Sequence, residues 1–273
     1  MMPHIVGYMV LLFLVYGGFY YAFAQSDSIF GLAPGPAVCH NNDEEDKVCR
    51  RPDLFAFQMA SVVSMYTSAI LGMHAWYVTR RPHRALPATP QGRLFGFLPE
   101  AERLSAYALA YQAFDWIVSW TIPEHCTFIM MTHHALAAAV AYVSIRYTVL
   151  HYYSFFFLGL SEVSTLFLIW MDLANYFPPP SGTWMATFIE SIAGPAFCLT
   201  FIWYRVIAWW PMSIRLFRDA HAVLSTGWIQ KARPGQPSWV LWVFLLSNLP
   251  LGLLQLYWLS IILQEAQKAL AGE

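Results

Sequence analysis

Long apolar runs alternate with short polar segments along this chain. Runs of roughly 20 apolar residues are long enough to cross the hydrocarbon core as helices. Seven such runs are read here, at approximately 4–24, 54–78, 103–121, 127–146, 150–176, 184–209 and 237–263. The fourth and fifth are joined by so short a connection that they are expected to be antiparallel neighbours. The first run ends in Ala22-Phe23-Ala24, which looks like a leader cleavage site. Its start carries no Lys or Arg and its apolar stretch is longer than a leader needs, so it is read as an uncleaved membrane helix. The pattern predicts an all-α polytopic membrane helix bundle of about seven spans. It divides into an N-terminal helix and loop (1–53), a membrane domain (54–265) and a short tail (266–273).

Composition agrees with the pattern. Of 273 residues, 58% are hydrophobic and 11% charged, where a soluble domain carries about 25% charged residues. The formal net charge of -1 lacks the basic footprint that nucleic-acid binding needs. Basic residues gather in two long connections, at Arg80, Arg81, Arg84 and Arg93 and at Arg215, Arg218, Lys231 and Arg233, with Arg146 in the turn after the fourth run. A seven-span count puts all three connections on one side, which the positive-inside rule assigns to the cytosol. The opposite connection, 25–53, is acidic at Asp43, Glu44, Glu45 and Asp46 and holds Cys39 and Cys49. In an oxidising compartment these two are expected to form a disulfide, and in a reducing one they are free thiols. No CxxC is present, so the cysteines give no support to a metal site. Residues 213–226 mix apolar and charged positions. They read either as an interfacial helix or as a solvated connection.

The candidate chemistry lies inside the apolar runs. Intramembrane ionisable residues are expensive and mark functional sites by default. The fourth run holds His133 and His134, about 100° apart around a helix. The third holds Gln112 and Asp115 on one face with Tyr111 and Ser119. In the fifth, Glu162, Thr165, Asp172 and Tyr176 fall on one stripe. The sixth adds Glu190 and Arg205, and the seventh Asn248 and Gln255. Bringing these faces together makes one polar core. Such a core either pins helices together or, with a carboxylate beside an imidazole, performs acid–base chemistry.

The run YQAFDWIVSWTIPEHCTFIMMTHHALAAAVAYV resembles the central signature of the TLC-domain family, in which a tyrosine and an aspartate end one span and a double histidine opens the next. LSEVSTLFLIWMDLANYF resembles that family's E-x-S-T helix. Arg205 followed by Trp209-Trp210-Pro211 resembles its penultimate span, and LGLLQLYWLSIIL its closing helix. The resemblance implies a lipid-associated membrane protein, with an endoplasmic reticulum location and membrane lipids as partners. The family's ceramide synthases join an acyl-CoA to a sphingoid base, which makes acyl-CoA the implied co-substrate. His133 and His134 match the synthases' histidines, so the candidate catalytic set is His133, His134, Asp115 and Glu162. Gln112, Thr165, Asp172 and Arg205 are the candidate lipid-pocket set. The chain departs from the synthase motif H-D-x-x-D: Ser161, Glu162 and Thr165 replace its histidine and two aspartates. This form resembles the non-synthase branch. The alternative function is a non-catalytic subunit of a larger membrane assembly, built on the same fold.

Overall fold

The structure, a computed structural model, describes residues 2–25, 32 and 50–271, with the side chains given as far as Lys268. Cys39, Cys49 and the acidic run at 43–46 lie outside the described residues, and so does the pairing expected of the two cysteines. The chain runs through α1 (Met2–Gln25), α2 (Pro52–Met73, carried on to Val78 by a π-helical turn), and two short helices, α3 (Arg81–Ala85) and α4 (Pro90–Phe95). Then come α5 (Pro99–Ser119), α6 (Phe128–Tyr147), α7 (His151–Phe157) and α8 (Thr165–Tyr176). The last part comprises α9 (Trp184–Phe188), α10 (Gly194–Thr200), α11 (Trp209–Ser225), α12 (Trp228–Ala232) and α13 (Trp239–Ala271).

Local sequence sets these boundaries. Proline opens α2, α3, α4 and α5, where its missing N–H costs nothing and its fixed φ suits the first turn. Thr127 caps α6 by accepting from the Met130 N–H at 3.3 Å, and Thr183 caps α9 by accepting from the Ala186 N–H at 3.3 Å.

Six segments among the described residues are long and apolar enough to cross a membrane. They are α1, α2 with its extension, α6, α7–α8, α9–α11 and α13. The third of the expected spans, α5, is too polar to qualify by composition. It forms nonetheless, because α1, α2, α6 and α7 pack around it and bury the alanines on its flanks (Ala101, Ala106, Ala110). The all-α polytopic bundle is therefore as expected. Two large hydrophobic cores divide it. One surrounds Leu94, Leu104, Tyr153, Leu216 and Val240 at the arginine-rich end. The other surrounds Phe23, Phe55, Phe114, Ile122 and Phe177 at the opposite end.

The structure departs from the sequence reading in three places. The fifth span is broken, since α7 and α8 are separated by a turn and one 3₁₀ stretch, Leu160–Val163. Gly159 lies at the break and packs backbone to backbone on Gly72 of α2: a Cβ on Gly72 would meet the Gly159 Cα at 2.7 Å. The sixth span does not stop near residue 209. Residues 213–226 are helical to Ser225 and continue it through α11, and Trp209 at the join is buried in the bundle (4% exposed). Finally, α6 and the fifth span are antiparallel but touch only near their turn at Thr148–Leu150. Beyond it they diverge, and the space between them is the site.

Candidate functional site

A cavity of about 620 Å³ fills this wedge. Its walls are α2, the end of α5, α6, α8, α10 and the far third of α13, with Glu124 and His125 at the rim opposite the arginine-rich end. A further recess of about 50 Å³ continues inward from it, sharing His133, Glu162 and Arg205 as common lining and ending among Trp209, Asn248 and Gln255.

The two histidines have different roles. Both ring nitrogens of His134 have polar neighbours: Nε2 lies 3.2 Å from Asp115 Oδ1, and Nδ1 lies 2.6 Å from Gln112 Oε1. Asp115 also accepts from the Ser119 hydroxyl at 2.9 Å. Tyr111, one turn earlier on α5, pairs with the Ser61 hydroxyl of α2 at 3.1 Å. His134 is thus a buried tie between α5 and α6. His133 makes no hydrogen bond among the described residues, and its Nδ1 is fully buried without a partner. Its ring is held by edge contacts, 5.2 Å from His134 and 5.4 Å from Trp258. A neutral imidazole carries one donor and one acceptor, and here both are left for a ligand.

Of the two candidate carboxylates, Asp115 meets a histidine and Glu162 does not. Glu162 pairs with Arg205 at 2.9 Å. Thr165, where the synthase motif has its second acid, accepts from Arg205 Nη2 at 2.9 Å and donates to Glu162 Oε2 at 2.8 Å. The break in the fifth span frees the Ser161 carbonyl, which accepts from Arg205 Nε at 2.9 Å, as does the Ser164 hydroxyl. Gln255 Oε1 takes one Nη1 hydrogen at 3.3 Å. Broken helices are tolerated at membrane depth where their free carbonyls line a cavity and find donors. The π-helical segment Phe201–Ile207 carries Arg205, as π-bulges often do at functional sites.

The stripe expected on the fifth span survives its break: Glu162, Thr165, Asp172 and Tyr176 all line the cavity. Asp172 has no hydrogen bond among the described residues. Gln112 and Asn248 also reach the site. Glu190 does not. It lies on another π-helical segment, Ile189–Ala193, and is exposed on the outside of the bundle. Sequence reasoning missed His125, which lines the rim with Nε2 buried and unpartnered, between Phe57 (4.4 Å) and Tyr176 (6.1 Å). Its burial holds the imidazole below its ordinary pKa. A loop residue carries no periodic signal, and only its place directly after Glu124 in the link to the double-histidine helix pointed to it. Beside it, Glu124 accepts two hydrogen bonds from Arg51, at 2.6 and 2.7 Å, which holds its carboxyl below the usual range. Among the described residues no group of three His, Cys, Asp or Glu side chains is placed to hold a metal ion.

The arrangement is a chamber inside a membrane bundle, its apolar lining interrupted by ionisable side chains from α5, α6, α8 and the segment that carries Arg205. Searches against curated proteins and against solved structures return no match. The family model for the TLC domain matches residues 6–264, from the first helix to the last. The chain is an integral membrane protein that belongs to the TLC-domain family.

Proposed function

We propose that this protein binds a membrane lipid in the cavity, with the lipid's polar group at His133 and Arg205 and its chain along Phe197, Phe201, Ile261 and Ile262. The observation that carries the reading is His133, whose Nδ1 is buried without a partner on the wall of the chamber. A buried polar group without a partner is unfavourable by about 1–3 kcal/mol, and a ligand hydroxyl, amide or ester relieves it. The volume suits the purpose, since ligand cavities run at about 300–1,000 Å³.

Acyl transfer from acyl-CoA asks more of the site. His133, the histidine left open to a ligand, has no carboxylate beside it to orient the ring or raise its basicity: Asp115 pairs with His134 and Glu162 with Arg205. This supports lipid handling over synthase chemistry. The endoplasmic reticulum membrane, implied by the family, is part of the same proposal and is checked by organelle fractionation.

The test is mass spectrometry of lipids co-purifying with wild-type protein and with His133→Ala. One lipid class enriched over the bulk membrane, and at least tenfold depleted in the variant, is the expected result. Equal lipid content in the two proteins defeats the proposal. Migration only as one large assembly in mild detergent, with no enriched lipid, favours the structural-subunit alternative instead.

A further inference from the structure

A second concavity, of about 800 Å³, lies at the arginine-rich end of the molecule. It runs between α11 and the α3–α4 segment, with Tyr152 of α7 among its lining residues. Three guanidinium groups line it, Arg93, Arg215 and Arg218, against a single carboxylate, Asp219. That carboxylate is already saturated. It accepts from Arg93 Nε at 2.6 Å, from Arg93 Nη2 at 2.7 Å and from the Tyr153 hydroxyl. The pairing anchors α4 on α11 and fixes the groove. Arg215 donates only to the Tyr152 hydroxyl, at 3.1 Å. Arg218 has no hydrogen bond or ion pair among the described residues. Both are exposed.

The groove therefore holds three positive charges against one negative, a surplus of two. Its depth in the membrane is set by α11, which continues the sixth span and exposes Ile214 (56%) and Phe217 (38%) beside the two free arginines. Apolar side chains facing lipid next to cations are the pattern of a helix at headgroup level. Basic pockets between helices at that level take phosphorylated headgroups. A phosphate monoester carries about -1.5 to -2 charges at neutral pH, which balances this surplus. A planar guanidinium also fits phosphate better than an ammonium does.

We propose that the groove binds the phosphomonoester headgroup of an anionic phospholipid from the adjoining leaflet, held between Arg215 and Arg218. The site is separate from the His133 cavity and does not depend on the function proposed for it. The experiment places the full-length protein in phosphatidylcholine nanodiscs with and without phosphatidic acid and reads retained lipid by native mass spectrometry. Wild type retains phosphatidic acid over phosphatidylserine. Arg215→Gln with Arg218→Gln weakens that retention roughly 30-fold, about fivefold per arginine, while His133→Ala leaves it unchanged. Arg218→Gln alone, which removes no internal bond, gives the fivefold step even if the double variant folds poorly. Glycerol 3-phosphate, which shares the phosphate but lacks the chains, competes only at much higher concentration. Competition at equal concentration overturns the lipid assignment. Equal retention by wild type and Arg218→Gln overturns the site.

Discussion

At the scale of single residues, the neighbours His133 and His134 separate binding from architecture. His134 ties Asp115 to the bundle, so His134→Ala leaves a buried carboxylate short of a partner. Breaking a buried pair in this way typically costs about 3–5 kcal/mol. The thermal midpoint of the purified protein is expected to fall accordingly. His133 has no hydrogen bond to lose among the described residues, so His133→Ala is expected to cost less than His134→Ala in the same melt while losing its lipid. At the rim, Glu124 has its carboxyl held low by Arg51. A depressed folded pKa stabilises above the unfolded value of 4.5 and is lost as pH falls through the folded one. Glu124→Gln is therefore less stable than wild type at pH 7, by about 1–2 kcal/mol, and the difference between the two melts shrinks as pH falls below 4.5.

At the scale of elements, Gly72 and Gly159 bring α2 against the break in the fifth span. A methyl on Gly72 meets only backbone there, at 2.7 to 2.9 Å, and backbone cannot swing aside. Small residues permit such close helix approach in membranes. Gly72→Ala is expected to destabilise by about 1–3 kcal/mol and to loosen the Arg205–Glu162 pair across the break, seen as faster amide exchange in residues 160–165. The same element explains what could be read from the sequence. The stripe from Glu162 to Tyr176 was legible because a short 3₁₀ turn barely disturbs helical spacing. The partner of Glu162 was not legible. Arg205 reaches it through a broken helix on one side and a π-helical segment on the other, and neither follows from a count of apolar positions. A π segment also turns Glu190 outward, away from the polar core that its position in the run had suggested.

At the scale of the whole molecule, two hydrophobic cores enclose a polar middle layer, and the α5 helix bridges them. The order of spans and the sharing of one side by the arginine-rich connections were legible in the sequence, because both follow from counting apolar runs. The enclosure of α5 was not. Its own surface bears Glu100, Glu102, Arg103, Gln112 and Asp115, and a single aspartate near a helix centre costs about 2.5–3.5 kcal/mol on insertion. This has a consequence for biosynthesis. Emerging alone from the ribosome, α5 is too polar to partition into the bilayer, and it must wait at the translocon until α6 arrives to supply His134 for Asp115. A chain truncated after Ile122 and released from the ribosome should leave α5 open to protease, whereas one released after Tyr147 should protect it. With His134→Ala that protection should be delayed.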